Sequence, residues 1–527
     1  MDTQTQMTTA SELKLVAGHA KKLAGELLRV VRSTSTVAPA PGDKRFSDAA
    51  WQRPFSKRLV QAYLAACNEL QATLDELDLD ERAQLRTRFA VSVVLDALSP
   101  ANGLFTNPVA LQRAWKTKGR SLVRGLRHLV ADLRRNGALP TMVDKRPFVV
   151  GENLATTPGE VVFRSEVLEL IQYRPQTPSV YARPLFIVPP QINRFYVLDL
   201  SPKNSMVGHL VRQGFQVFMV SWRNPKPEHR DWGLGTYVKA LEQAVDACRA
   251  ITGSEDVNWM GLCAGGITSS VALSHLTSRP QRKVNSLTLG VTLLDMSGLD
   301  ETALAALISA DNLALARKSS KVTGLLEGKE LQRTFAWIRA NDLIWSYWVS
   351  NYLLGNDPPA FDVLYWNSDS TGLPARLHSD FVDILEHDAL VKPGTLKVLG
   401  QPVDLRQVQV DKYVVAGETD HITPWRGCHR STGLFGGSTE FVLCNSGHIQ
   451  TLVCPPGNAK ARYRAGPQTS ASPDEWRRTS VEHAGSWWEH WTAWLAPRSG
   501  ESRPAPAVLG APGYQPLAAA PGTYVAE

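Results

Sequence analysis

One cysteine between two glycines carries the sharpest chemical signal in this chain. Gly261-Leu262-Cys263-Ala264-Gly265 follows the apolar run Val257 to Met260 and opens a helix-forming stretch, Gly265 to Thr277. This is the G-x-[S/C]-x-G spacing of a nucleophile elbow. The glycines admit a strained strand-to-helix turn, so the side chain between them stands out over a sheet. A helix N-terminus aimed at that sulfur favours the thiolate, the form that attacks carbonyls, and the backbone N–H of Ala264 is placed to donate to an oxyanion.

An elbow nucleophile needs a base and a group that orients it, and in such folds they follow in the order nucleophile, acid, histidine. Asp420 sits in Tyr413-Val-Val-Ala-Gly-Glu-Thr-Asp420-His421, just past an apolar run. His448 sits in Phe441-Val-Leu-Cys-Asn-Ser-Gly447-His448, past another. Rivals are present. Glu418 lies on the same turn as Asp420, His421 adjoins it, and Asp295 ends the run Thr288 to Leu294. Cys428 and Cys444 lack an elbow and read as packing residues. A second oxyanion donor is expected from a loop after an early strand, and Ile187-Val-Pro-Pro-Gln191-Ile192-Asn193 offers the N–H of Ile192.

Positioning these groups requires a sheet. Short β-rich runs recur from about residue 146: 148–150, 161–163, 185–188, 216–220, 257–260, 286–294, 412–415 and 440–443. Helical stretches such as 235–252 lie between them. Strands alternating with helices predict an α/β fold with a mostly parallel central sheet covered on both faces. Residues 1–150 read instead as helical. Apolar residues recur three and four apart at Leu59, Tyr63, Leu64 and Cys67, and again from Leu111 to Leu129. The alternation is interrupted at about 300–400 by a helical insertion dense in aromatics, among them Phe335, Trp337, Trp345, Trp348 and Tyr352. Such an insertion in a catalytic domain spanning 151–527 suits a lid that excludes water, although an independent helical domain would read the same way. The Pro-, Ala- and Gly-rich stretch beyond Leu495 is expected to be extended.

Composition narrows the class. With 43% hydrophobic and 20% charged residues, the 527-residue chain can build a large core, which excludes wholesale disorder. No apolar run reaches the roughly 18–20 residues of a membrane span, and no secretory signal opens the sequence. Six cysteines without a CxxC pair suit a reducing cytoplasm, and no metal-ligand spacing appears. The net charge of +7 is concentrated in residues 101–150, where ten basic groups face only Asp132 and Asp144. No nucleic-acid recognition motif accompanies that block. It reads as a solvated helix face or as a contact for an anionic surface.

Several segments together resemble the poly(3-hydroxyalkanoate) synthases: PLFIVPPQINRFYVLDLSP (184–202), VSWRNP (220–225), GLCAGG (261–266), IRANDLIWSYWVSNYLLGNDPPAFDVLYWN (338–367), DHITPW (420–425), NSGHI (445–449), SWWEHWTAWL (486–495) and APGTYV (520–525). The resemblance implies an α/β-hydrolase fold with a helical lid insertion and a helical N-terminal region. It implies an acyltransferase that polymerises (R)-3-hydroxyacyl-CoA, with Cys263 as nucleophile and Asp420 and His448 as its partners. No cofactor is implied, since the CoA thioester is the substrate. Also implied are a homodimer and a cytoplasmic location on polyester granules. The stretches 231–241, 252–258, 421–428 and 446–458 look more like the class accepting medium-chain acyl units, with the short-chain class still open. The competing readings are a Cys-dependent thioesterase or polyester depolymerase on the same elbow, and a non-catalytic granule protein.

Overall fold

The computed structural model describes residues 3–137, 139–279, 281–299, 302, 305–306 and 308–527, with the backbone alone for 3–11 and 335. The Phe335 side chain and Glu301, the expected start of the insertion, fall outside this description. The chain forms two compact units. One comprises residues 1–144, 305–307 and 333–360, and the other residues 145–304, 308–332 and 361–527. The stretch expected as a single insertion therefore divides between them.

The first unit is helical: α1 (Thr3–Val31), α2 (Pro54–Glu76), α3 (Glu81–Ala97), α4 (Pro108–Lys116) and α5 (Arg120–Arg135). The apolar spacing from Leu111 to Leu129 belongs to two helices. The chain turns between them through Lys118 and Gly119, both at positive φ. The aromatic stretch 341–353 packs here in two π-helical turns, Asn341–Trp345 and Trp348–Leu353. Trp348 meets Trp345 and Tyr352 edge-on. The Tyr352 hydroxyl donates to the buried Asp132 carboxylate at 2.7 Å, and Gly125 of α5 leaves room for the Tyr352 carbonyl, which a Cβ would approach to 1.9 Å.

The second unit is built on an eleven-stranded sheet. Its strands are β1 (Gly159–Arg164), β2 (Leu168–Tyr173), β3 (Leu185–Val188), β4 (Val217–Trp222), β5 (Val257–Leu262), β6 (Val284–Gly290), β7 (Asp411–Gly417), β8 (Thr439–Cys444), β9 (Arg462–Pro467), β10 (Val481–Ala484) and β11 (Ala518–Ala519). Their spatial order is β10-β9-β8-β7-β6-β5-β3-β4-β2-β1-β11. The central six, β8 to β4, run parallel, and antiparallel strands extend both edges.

Alternation along each strand divides the core. Trp259 of β5, Phe218 of β4 and Val414 of β7 face one layer, with the helices Leu234–Thr252 and Ala264–Thr277. Met260, Met219 and Val415 face the other, with Met206–Arg212 and the tryptophan-rich helix Trp487–Leu495. This three-layer arrangement is the expected α/β-hydrolase fold. The run 148–150 forms only an isolated bridge at Val150. The stretch past Leu495 is not simply extended: it returns to the sheet, where β11 pairs with β1. Among the described residues no helix is long and apolar enough to cross a membrane.

Candidate active site

Three loops at the carboxyl ends of β5, β7 and β8 converge, as sheets of this type arrange their sites. Cys263 follows β5 directly and caps the helix Ala264–Thr277 at φ 49° and ψ −124°. That conformation costs a non-glycine residue on the order of 1–3 kcal/mol, and it is fixed from both sides. The Cys263 N–H donates to Gly290 of the neighbouring strand at 2.9 Å, and its carbonyl accepts from Gly266 at 2.9 Å. Gly265 lets the helix close on β3. A Cβ there would lie 2.3 Å from the Pro189 carbonyl oxygen and 2.7 Å from that of Val188, and backbone cannot yield as a side chain can. The residue is left half-buried.

Asp420 and His448 meet as the sequence order predicts. His448 Nδ1 donates to Asp420 Oδ2 at 2.7 Å, and both side chains are almost fully buried. The carboxylate is saturated. Oδ1 accepts from the N–H groups of Ile422 (2.8 Å) and Thr423 (3.0 Å), and Oδ2 also accepts from the Thr423 hydroxyl at 2.7 Å. With Nδ1 so engaged, the other imidazole nitrogen is left for Cys263, whose sulfur is among the groups acting on the ring. Burial alone would lower the His448 pKa. The Asp420 carboxylate and the Cys263 sulfur opposite, with the hydrogen bonds to each, outweigh it and push the value up to about 10. Burial would likewise raise the carboxyl pKa of Asp420, but the His448 charge and the hydrogen bonds from His448 and Thr423 hold it below 3.8. The imidazole thus accepts a proton between two groups that stabilise its cation, the condition for transferring a thiol proton.

The rivals are committed elsewhere. Glu418 pairs with Arg477. Asp295 accepts from the Ser297 N–H at 3.1 Å and lies 3.5 Å from Arg430. His421 follows Asp420 in the chain, but the Asp420 carboxylate is taken up by His448, Thr423 and Ile422. Burial pushes the thiols of Cys428 and Cys444 well above the ordinary value, which keeps them neutral packing groups.

Two supports were not read from the sequence. Thr423 fixes the acid, and its D-x-x-T spacing after a strand is the signal that could have found it. Trp487 Nε1 donates to the Thr451 carbonyl at 2.7 Å and so pins the short helix His448–Leu452. Close approach recurs at Gly417, where a Cβ would lie 2.4 Å from the Ser446 carbonyl oxygen, so the loops carrying Asp420 and His448 can pack together.

The expected oxyanion donors lie on elements flanking the cysteine. Ala264 is the first residue of its helix, where backbone N–H groups precede the intrahelical ladder. Ile192 lies in the loop after β3, its carbonyl accepting from the Thr371 N–H at 3.1 Å.

Known proteins resemble this chain over most of its length. Residues 42–210 match the family described as poly-beta-hydroxybutyrate polymerase (PhaC) N-terminus, and residues 184–453 match the alpha/beta hydrolase fold. Poly(3-hydroxyalkanoate) polymerases 2 and 1 of Ectopseudomonas oleovorans are 49% and 47% identical to this chain, in each case over 97% of it and 91% of the relative. The poly(3-hydroxyalkanoate) polymerase subunit PhaC of Cupriavidus necator is 40% identical over 92% of this chain and 83% of its own.

Proposed function

The chain belongs to the poly(3-hydroxyalkanoate) polymerase family, and on that premise we propose that it polymerises (R)-3-hydroxyacyl-CoA by acyl transfer through Cys263. His448 removes the thiol proton, and the thiolate attacks the thioester carbonyl. The negative oxygen that forms is met by the N–H groups of Ala264 and Ile192. Collapse of that intermediate expels CoA as its thiolate, which takes the proton from His448, and leaves the acyl group on Cys263. Exchanging one thioester for another is nearly isoenergetic, so loading needs no external energy source.

Elongation differs from hydrolysis only in the second nucleophile. The 3-hydroxyl of one acyl unit attacks the thioester carbonyl of another, His448 takes the hydroxyl proton, and the sulfur leaves as the new ester bond closes. Asp420 keeps His448 in the tautomer that accepts at the nitrogen facing the sulfur, and it stabilises the resulting cation. Water must be kept from the acyl-enzyme, which is the task expected of a lid in this family. Medium-chain acyl units are the proposed substrates, on the stretches that resemble that class. The proposed setting is a homodimer in the cytoplasm, at the surface of polyester granules, with no cofactor beyond the substrate's CoA.

The observation that carries this reading is His448 held between the Asp420 carboxylate and Cys263, with the cysteine on a strained turn. Incubation with (R)-3-hydroxyacyl-CoA tests it. Turbidity appearing with free CoA supports the polymerase, whereas free hydroxy acid with CoA marks a thioesterase. Cys263→Ala is expected to abolish both acyl labelling of the protein and polymer formation. Full activity in that variant removes the mechanism.

A further inference from the structure

The loop bearing Ile192 has no regular structure, yet it is tied at every residue but one between Pro189 and Arg194. Trp222 Nε1 donates to the Pro189 carbonyl at 2.8 Å, and Gln191 Nε2 to the Thr268 hydroxyl at 2.9 Å. The Thr371 hydroxyl donates to the Gln191 carbonyl at 2.6 Å, and Trp366 Nε1 to the Arg194 carbonyl at 2.7 Å. Asn193 bridges Ser370. The side chain of Arg194 is only 7% exposed. Its Nη1 donates to the Tyr524 carbonyl at 3.0 Å, and its Nε lies 3.5 Å from Asp369 Oδ1. The other carboxylate oxygen of Asp369 accepts from the Tyr196 hydroxyl at 2.6 Å.

Tyr524 is itself immobilised. Its N–H and that of Thr523 donate to Glu169 Oε2, at 3.0 and 2.9 Å, and its hydroxyl donates to the Ser165 carbonyl at 2.8 Å. Its ring lies 4.0 Å from the Arg223 guanidinium. Glu169 is wholly buried in β2 and is answered on its other oxygen by Arg164 and the Thr523 hydroxyl. An apolar side chain could fill the space of Arg194 without the cost of burying a charge. The arginine adds direction: one planar group joins the loop after β3 to a segment more than three hundred residues later.

We propose that Arg194 is a positioning residue for the Ile192 N–H, and that residues 518–527 act as a strap through which acyl transfer depends on the docked tail. The proposal rests on the reading of Cys263 as the acyl carrier and of the Ile192 N–H as an oxyanion donor. Displacing an oxyanion donor leaves ground-state binding intact and acts on the transition state, so the effect belongs in the rate and not in KM.

The test is rapid-quench release of CoA in the first turnover at saturating (R)-3-hydroxyacyl-CoA, with a thermal melt of every variant. Arg194→Ala is expected to slow Cys263 acylation about 10- to 100-fold, with KM changed less than about threefold. Arg194→Lys, whose ammonium can reach the Tyr524 carbonyl but leaves no Nε beside Asp369, should recover part of the rate. Removing residues 524–527 should slow acylation as Arg194→Ala does, and combining the two should cost little more than either, because both break one connection. An Arg194→Ala rate within twofold of the parent, or fully additive losses, overturns the proposal. If Arg194→Ala melts below the assay temperature, Arg194→Lys decides, and an undiminished rate there overturns it equally. A parent protein that never acquires an acyl group on Cys263 refutes the proposed function itself. A parent that is acylated beside unaffected variants refutes the strap alone.

Discussion

Replacing Asp420 by asparagine isolates the electrostatic role of the acid. The side chain keeps its shape, but it loses its charge and half its acceptors. Four donors point at the carboxylate: two backbone N–H groups, the Thr423 hydroxyl and His448 Nδ1. Whichever way an amide is turned, its NH2 group faces a donor. The rise of His448 from 6.5 to about 10 corresponds to roughly 5 kcal/mol at about 1.4 kcal/mol per unit. Burial works against that rise, so the attractions of Asp420 and Cys263 together exceed it, and loss of the carboxylate should remove on the order of 3 kcal/mol of imidazolium stabilisation. A cation forms at His448 as the thiol is deprotonated. First-turnover acylation should therefore fall about 100-fold at neutral pH. The imidazole resonances should titrate lower than in the parent. The assay is CoA release in a rapid-quench experiment across pH, paired with NMR titration of His448. Acylation within tenfold of the parent, with an unmoved His448 midpoint, refutes the reasoning.

The remaining predictions concern packing and pH. Gly265→Ala places a methyl 2.3 Å from the Pro189 carbonyl oxygen. It should destabilise the fold by about 1–3 kcal/mol in urea unfolding, and acylation should fall even in the fraction that folds. Lys412, 1% exposed, donates to the Val410 carbonyl at 3.2 Å and to that of Gly436, and burial lowers its pKa from 10.5 to about 8. Between pH 8 and 10.5 the unfolded chain binds the proton more fully than the folded one, so this residue's penalty is complete below about pH 8 and fades as pH rises to 10.5. Lys412→Met should raise the melting temperature at pH 7, with the gain shrinking by pH 10; a gain that grows with pH refutes this. The His448 shift has the opposite sign. Its stabilisation is full below pH 6.5 and is lost as pH rises through about 10, so Cys263→Ala, lacking the facing sulfur, should flatten that alkaline loss in thermal melts.

Much of this protein is determined by spacing within short stretches. Near-continuous apolar runs mark the central strands, because a strand buried on both faces can hide its polarity only in the backbone. The elbow is equally local. Gly261 and Gly265 stand where neighbouring atoms leave no room for a Cβ, and the cysteine between them takes the strained turn the pattern predicts. The order of Cys263, Asp420 and His448 along the chain followed from where parallel strands end. Tertiary structure decided what depends on partners distant in sequence. β2 escaped the periodicity because Leu168–Tyr173 carries Glu169 and Gln172, both buried. Glu169 is answered by Thr523 and Tyr524, and Gln172 by the Gly510 N–H at 2.7 Å. β10, the edge strand, and β9 beside it read as polar because arginine and glutamate face outward there. The sequence favoured Asp420 but left Glu418 and Asp295 as rivals, and the contacts separate them: an imidazole lies opposite Asp420 and an arginine opposite each of the others. A buried charge is tolerable only where its counterpart has been brought to it, and the folded chain alone fixes which counterpart arrives.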